Sequence, residues 1–123
     1  MKLEPLIYVT DLKKSIDFYV NILEFKLGDL YPNKDEATYA PVFIDDYKLM
    51  LCLARKNNKK FHPNGLGGTG VQMFIRVEDV DKKYQEIKNK VTVIDEIETK
   101  SWGDREFTLK DPDGYLISFY TPE

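Results

Sequence analysis

The 123 residues read as an α+β domain made of two copies of one βαβββ module, and three observations say so. First, sliding the chain against itself by 68 residues carries Ile7, Val9, Asp11, Lys14 and Asn21 onto Ile75, Val77, Asp79, Lys82 and Asn89, and Asp45 and Tyr47 onto Asp113 and Tyr115. Second, within each copy the apolar spacing passes from a period of two to helical spacing and back to two. Third, turn residues punctuate each copy at matching places.

The elements follow in order. Leu3 to Val9 alternates as a strand, and Asp11 or Thr10 caps a helix whose apolar positions Leu12, Ile16, Tyr19 and Leu23 recur at helical spacing. Three strand-like stretches come next: Phe25 to Tyr31, Thr38 to Ile44 and Lys48 to Ala54. The second copy repeats the order, with a strand over Val71 to Val77, Asp79 as cap, and a shorter helix with the stripe Val80, Tyr84 and Ile87. Strands over Thr92 to Glu98, Arg105 to Lys110 and Tyr115 to Tyr120 complete it. Pro32-Asn33-Lys34-Asp35, Asp45-Asp46 and Asp111-Pro112-Asp113-Gly114 supply the turns. The expected organisation is a single domain, with module one at residues 1–54, a linker at 55–69 and module two at 70–123.

Composition excludes several classes of function. A net charge of −3 with no long stretch of one sign argues against nucleic acid as a partner. The most basic segment, Lys56 to Lys60, is short and lacks interleaved aromatics, so it reads as a solvated loop. No apolar run approaches the roughly 20 residues of a membrane-spanning helix, and the start of the chain does not read as a secretory leader. The cytoplasm is the expected compartment, with no membrane partner. A single cysteine, Cys52, lies in the apolar run Leu49 to Ala54 and reads as a buried structural thiol. The glycine-rich Gly65 to Gly70 is followed by a strand, whereas a phosphate cradle needs a helix there. It reads as linker.

Alternation splits each strand into a helix-facing side and an open side. The helix-facing sets are apolar: Leu3, Pro5, Ile7 and Val9; Leu49, Leu51 and Leu53; Val71, Met73, Ile75 and Val77; Ile117 and Phe119. The open sets are mixed: Glu4, Leu6 and Tyr8; Lys48, Met50 and Cys52; Gln72, Phe74 and Arg76; Leu116, Ser118 and Tyr120. Burying such a set dry would leave polar groups unpaired. Scattered polar groups among apolar walls suit a small-molecule pocket, with a dimer interface as the other reading.

Val9-Thr-Asp-Leu-Lys-Lys-Ser-Ile-Asp-Phe-Tyr19 and Trp102-Gly-Asp-Arg-Glu-Phe-Thr-Leu-Lys-Asp-Pro-Asp-Gly-Tyr115 resemble the opening and closing signatures of the vicinal oxygen chelate superfamily. This is the superfamily of glyoxalases, bleomycin-resistance proteins and extradiol dioxygenases. With the duplication between them, the resemblance covers essentially the whole chain. It implies two βαβββ modules whose mixed sheet curves around a cavity, commonly in a homodimer.

The superfamily's metalloenzymes hold a divalent metal with His and Glu from the first and last strands of each module. The matching positions here are Glu4, Met50, Gln72 and Ser118, and the same offset carries Glu4 onto Gln72 and Met50 onto Ser118. One carboxylate, a thioether, an amide and a hydroxyl suit neither zinc nor iron, nor the oxygen cage of magnesium. The sole histidine, His62, lies in the linker. No metal and no cofactor are expected, and catalysis is disfavoured because chelating two vicinal oxygens needs a Lewis acid. Glu4 is the one carboxylate on the open set that could act as a base, and Lys48 or Arg76 could pair with it.

The resemblance is nearest to the metal-free branch that sequesters bulky aromatic antibiotics of the bleomycin type, which implies a role in antibiotic resistance. The expected ligand is a small aromatic or hydrophobic molecule, bound by Glu4, Tyr8, Tyr39, Phe43, Met50, Gln72, Phe74, Arg76, Trp102, Phe107 and Ser118. Tyr31 and Phe61 are further candidate walls. Trp102 precedes Gly103 in a WG pair that resembles the antibiotic-binding proteins, and its other reading is a core plug at the hairpin base. Two other functions stay open: a metal-dependent lyase, isomerase or dioxygenase, and a dimeric interaction protein without ligand.

Overall fold

The computed structural model describes residues 1–54 and 70–123. The chain divides into two compact units, Met1–Leu66 and Gly67–Glu123. The expected linker, with His62, Phe61 and most of the glycine-rich run, lies outside the described residues.

In the first unit, β1 (Leu6–Val9) leads into helix α1 (Leu12–Ile16), which continues as a π-helical stretch over Asp17–Ile22. Three strands follow: β2 (Lys26–Leu27), β3 (Tyr39–Ile44) and β4 (Tyr47–Leu53). The second unit repeats the order with β5 (Gln72–Arg76), α2 (Val80–Ile87), β6 (Thr92–Thr99), β7 (Arg105–Lys110) and β8 (Leu116–Thr121). Each unit forms a four-stranded mixed sheet, ordered β1-β4-β3-β2 and β5-β8-β7-β6. The first strand of a module pairs in parallel with the last, and the other pairs are antiparallel. The α+β class and the βαβββ order therefore stand as the sequence predicts.

Both helices start where a carboxylate can accept a free backbone N–H. Asp11 Oδ1 accepts from Lys14 N and Asp79 Oδ1 from Lys82 N, each at 3.1 Å. The closing hairpin uses the same device. Asp111, buried, accepts from Asp113 N at 2.9 Å and Tyr115 N at 2.8 Å, and Gly114 takes the positive φ of +88° that the turn requires.

The core is the helix-facing parity of each sheet. In the first module Ile7, Val9, Leu49, Leu51, Ala40 and Val42 pack under Leu12, Phe18, Tyr19 and Leu23. The π-helical register, seen in Leu23 N donating to Phe18 O at 3.0 Å, brings Phe18 into the core beside Tyr19, an addition to the expected stripe. In the second module Phe107, Leu109, Ile117 and Phe119 pack under Val80 and Ile87.

Four expectations need correction. Leu3 and Pro5 are exposed, Leu3 at 88%, because the ladder with β4 begins only at Leu6 and the residues ahead of it lie outside the strand. Val71, at 53% exposure just ahead of β5, likewise adds nothing to the core. The stretch Phe25 to Tyr31 is not one strand: β2 stops at Leu27, and only Tyr31 bridges back to Tyr39. Gly28 marks the break, since a Cβ there would lie 2.8 Å from the Phe43 ring and 2.9 Å from Pro41 Cγ, so the backbone presses against β3. Cys52 is half-buried, because it points to the open side between Tyr8 and Tyr39 in the register.

Phe107 is fully buried, stacked on Phe119 with centroids 5.5 Å apart and edge-on to Tyr84 at 4.9 Å. Phe107→Ala should destabilise the protein by about 3–5 kcal/mol in urea unfolding. A loss below about 1 kcal/mol would contradict this core.

Candidate functional site

The strand registers fix which side chains share the open face of each sheet. In the first module Leu6, Tyr8, Met50, Cys52, Tyr39, Pro41, Phe43 and Lys48 lie on it. Of the expected site residues, Tyr8, Tyr39, Phe43 and Met50 thus come together on one surface, all half-buried. Glu4 joins them through its carboxylate, which meets Lys48 Nζ at 3.4 Å. This is the pairing expected if Glu4 is not a catalytic base. Both side chains are about one-third exposed or less, so the pair adds little stability and serves to hold Glu4 at the rim of the face.

In the second module three cross-strand rows lie on the open face: Gln72 with Leu116 and Lys110; Phe74 with Ser118 and Thr108; Arg76 with Tyr120 and Glu106. The expected residues Gln72, Phe74, Arg76 and Ser118 are therefore neighbours. Gln72 Nε2 donates to Ser118 Oγ at 2.8 Å, and Ser118 Oγ lies 2.6 Å from Thr108 Oγ1. Ser118 and Thr108 are buried, so these bonds satisfy groups that would otherwise cost about 1–3 kcal/mol each. Phe74 is 56% exposed and stands edge-on to Tyr120, with centroids 6.0 Å apart.

Two candidates stand elsewhere. Phe107 pairs with Phe119 on the helix side and lines no binding surface; in β7 the odd positions face the helix, so its aromaticity alone misplaced it. Trp102 is 68% exposed in the turn between β6 and β7, which rules out the core plug. Gly103, with φ of +102°, closes that turn, and its N–H donates to Lys100 O at 2.9 Å. Sequence reasoning missed Glu106, Thr108 and Tyr39's neighbour Pro41 as open-face residues. The signal was present as alternation: Glu106, Thr108 and Lys110 against Phe107 and Leu109.

The donor set at the superfamily's metal positions does not fit a divalent cation. In the first module Glu4 already faces an ammonium, and Met50 offers a soft thioether. In the second, the Gln72 amide donates its N–H to Ser118, whose hydroxyl is shared with Thr108. Among the described residues no group of three or more His, Cys, Asp or Glu side chains is placed to hold a metal.

A separate depression of about 310 Å³ lies at the start of α2, lined by Glu78, Asp79, Asp81, Arg105, Thr121 and Glu123 among others. Arg105 and Thr121 share the helix-side parity of the sheet, so this hollow is not part of the open face. Arg105 Nε donates to both Asp81 oxygens, at 3.0 and 2.9 Å. This bond holds the Asp81 carboxyl below its ordinary pKa. Lys100 is raised in the same way by its bond to Glu98.

Two βαβββ modules, each with its helix on one face and a mixed aromatic and polar surface on the other, define a protein of the vicinal oxygen chelate type. The chain belongs to the Glyoxalase/Bleomycin resistance protein/Dioxygenase superfamily, whose family model matches residues 3–119. It is 31% identical over 127 residues to a bleomycin resistance protein of Staphylococcus aureus, covering 94% of this chain and 92% of that protein. Its fold is similar to TnmS3, an antibiotic binding protein from Streptomyces sp. CB03234, with TM-score 0.75, 25% identity, and coverage of 100% and 96% of the two chains. It is also similar to the bleomycin-binding protein of Streptomyces verticillus solved with copper(II)-bleomycin, with TM-score 0.70, 20% identity, and coverage of 100% and 97%.

Ser118→Ala strands Gln72 and Thr108 together and should cost about 1–3 kcal/mol by urea unfolding. An unchanged midpoint would show that the hydroxyl is not the hub described. At the hollow, the wild type should exceed Asp81→Asn in thermal midpoint at neutral pH and low salt. The carboxyl is depressed in the folded state, so its contribution is present above the unfolded pKa and lost as pH falls through the folded one. The two midpoints should therefore converge in acid.

Proposed function

We propose that this protein binds and sequesters a small, largely aromatic or hydrophobic molecule against the open faces of its sheets, without a metal and without bond-making chemistry. The observation that carries the reading is the open face of the second module, where exposed Phe74 and half-buried Tyr120 stand beside the hydrogen-bonded Gln72, Ser118 and Thr108. Aromatic walls with a few fixed polar groups suit stacking and orientation of a flat ligand. The metal-ligand positions add support, since Glu4 is engaged with Lys48 and Gln72 with Ser118, while Met50 offers only a thioether.

The names of the similar proteins point the same way. Relatives and neighbours include a bleomycin resistance protein, an antibiotic binding protein and a bleomycin-binding protein. In this reading Tyr8, Tyr39, Phe43 and Met50 form the contact surface of the first module, with Glu4 at its rim. Phe74, Arg76, Gln72 and Ser118 form that of the second module, and Trp102 stands as an exposed aromatic on the β6–β7 turn. No helix among the described residues is long and apolar enough to cross a membrane. We place the protein in the cytoplasm as a homodimer, a state that sedimentation velocity measures directly.

Isothermal titration of protein dialysed against a chelator, with metal-free bleomycin and a panel of aromatic antibiotics, tests the proposal. Saturable binding is expected. Phe74→Ala should weaken it by about tenfold through loss of one aromatic contact, with little change in unfolding midpoint. Absence of binding across the panel, or binding that requires an added divalent metal, would overturn the reading.

A further inference from the structure

The open face of the second module is divided by charge. On β5 and β8 the register places Gln72, Phe74, Arg76, Leu116, Ser118 and Tyr120 there, and Arg76 is the only charged side chain of this set. The carboxylates gather further across the sheet, on β6 and β7. Asp95, Glu98 and Glu106 surround Lys100, whose ammonium bonds Glu98 and is held protonated by that bond first, with Asp95 and Glu106 adding to it. That side of the face carries its own counter-ion.

Arg76 has none. It is exposed, and no hydrogen bond or ion pair joins it to another of the described residues. Glu4, the carboxylate that could have taken either cation, meets Lys48 instead. Glu78, two residues along the chain, lines the hollow at the start of α2. Glu106 shares the row of Arg76, but β8 lies between their strands, and two strand spacings are roughly 10 Å. Neither packing nor pairing within the described chain calls for a guanidinium at this place. Its neighbours do supply a use. Tyr120 stands directly across from Arg76, and Phe74 is edge-on to Tyr120 with ring centroids 6.0 Å apart. A flat ring laid against that pair brings a substituent at its rim within reach of the arginine, since neighbouring strands are only about 4.8 Å apart. The guanidinium presents a planar fork of N–H donors that matches a carboxylate with two parallel bonds.

We propose that Arg76 is the specificity-determining residue of the second module's open face, pairing with the carboxylate of an aromatic acid whose ring rests on Phe74 and Tyr120. The inference rests on the sequestration reading above and deepens it by naming the ligand class: planar aromatic carboxylates over their neutral counterparts. The carboxylates around Lys100 repel an anion placed over β6 and β7, so the division of charge also sets the direction in which the ligand lies.

The test is an NMR titration of the backbone amides with two probes of matched shape, 2-naphthaleneacetate and 2-naphthaleneacetamide, which reads affinity and place together. The wild type is expected to bind the acetate at least about fivefold more tightly, the effect of one charge-assisted pair at an exposed site, with shifts centred on Phe74, Arg76 and Tyr120. Arg76→Gln should abolish that preference while leaving the acetamide's affinity within about twofold and the unfolding midpoint unchanged. Arg76→Lys keeps the charge without the fork and should retain only part of the preference. Lys110→Gln removes another cation of the same face, in the row of Gln72 and Leu116, and should keep it in full. Equal binding of the two probes by the wild type, shifts centred elsewhere, or a preference that survives Arg76→Gln or is lost in Lys110→Gln overturns the assignment of Arg76. Failure of both probes to bind overturns it as well. In each of these cases the antibiotic titration above decides the sequestration reading by itself.

Discussion

In each module the first strand runs parallel to the last, and the rest of the architecture depends on that pairing. A parallel neighbour cannot be reached by a tight turn; it needs a crossover, and the helix is the first part of that crossover. Once β1 pairs with β4, or β5 with β8, the helix lies over one side and its apolar stripe must be answered by the strand positions beneath it. Ile7 opposite Leu51 and Ile75 opposite Phe119 are the same solution in the two copies. The opposite parity is released from core duty, and it carries the mixed aromatic and polar side chains of both sheets.

The two copies have used that freedom differently. The first module ties its open face at the edge, with Glu4 against Lys48, and otherwise presents soft or aromatic groups: Met50, Cys52, Tyr8, Tyr39 and Phe43. The second builds a buried polar centre from Gln72, Ser118 and Thr108, flanked by Phe74 and Tyr120. Duplication supplied two equivalent scaffolds, but the side chains at equivalent places no longer match in kind. Met50 and Ser118 share a position in the repeat and have nothing in common chemically.

That divergence bears on what the scaffold can do. A metal enzyme of this superfamily needs hard or imidazole donors converging from both copies, and hydrogen bonding among the present donors works against it. Gln72 turns its N–H toward Ser118 where a ligand would have to offer a lone pair, and Glu4 has found a cation in Lys48. What remains on the open faces is a set of aromatic edges and fixed polar groups on regular strands, and the proposed sequestration of a flat molecule by stacking and a few directed bonds rests on it.

The sequence by itself determined the module, its duplication, both helix caps and the closing hairpin, because each is set by local chemistry. Asp11 and Asp79 cap whatever follows them, and Asp111-Pro-Asp-Gly114 turns wherever it stands. It also determined the parity of β1, β4, β5 and β8, where apolar and mixed positions alternate cleanly. Only the tertiary structure decided the rest. Phe107 and Glu106 are adjacent in one strand: the ring expected among the ligand walls is core, and the carboxylate, despite its charge, is buried on the open face. Leu3 is apolar yet exposed, because the ladder that would hold it starts three residues later. Burial depends on what lies across the sheet, and a partner some ten residues or more along the chain is invisible to local pattern until the register is known.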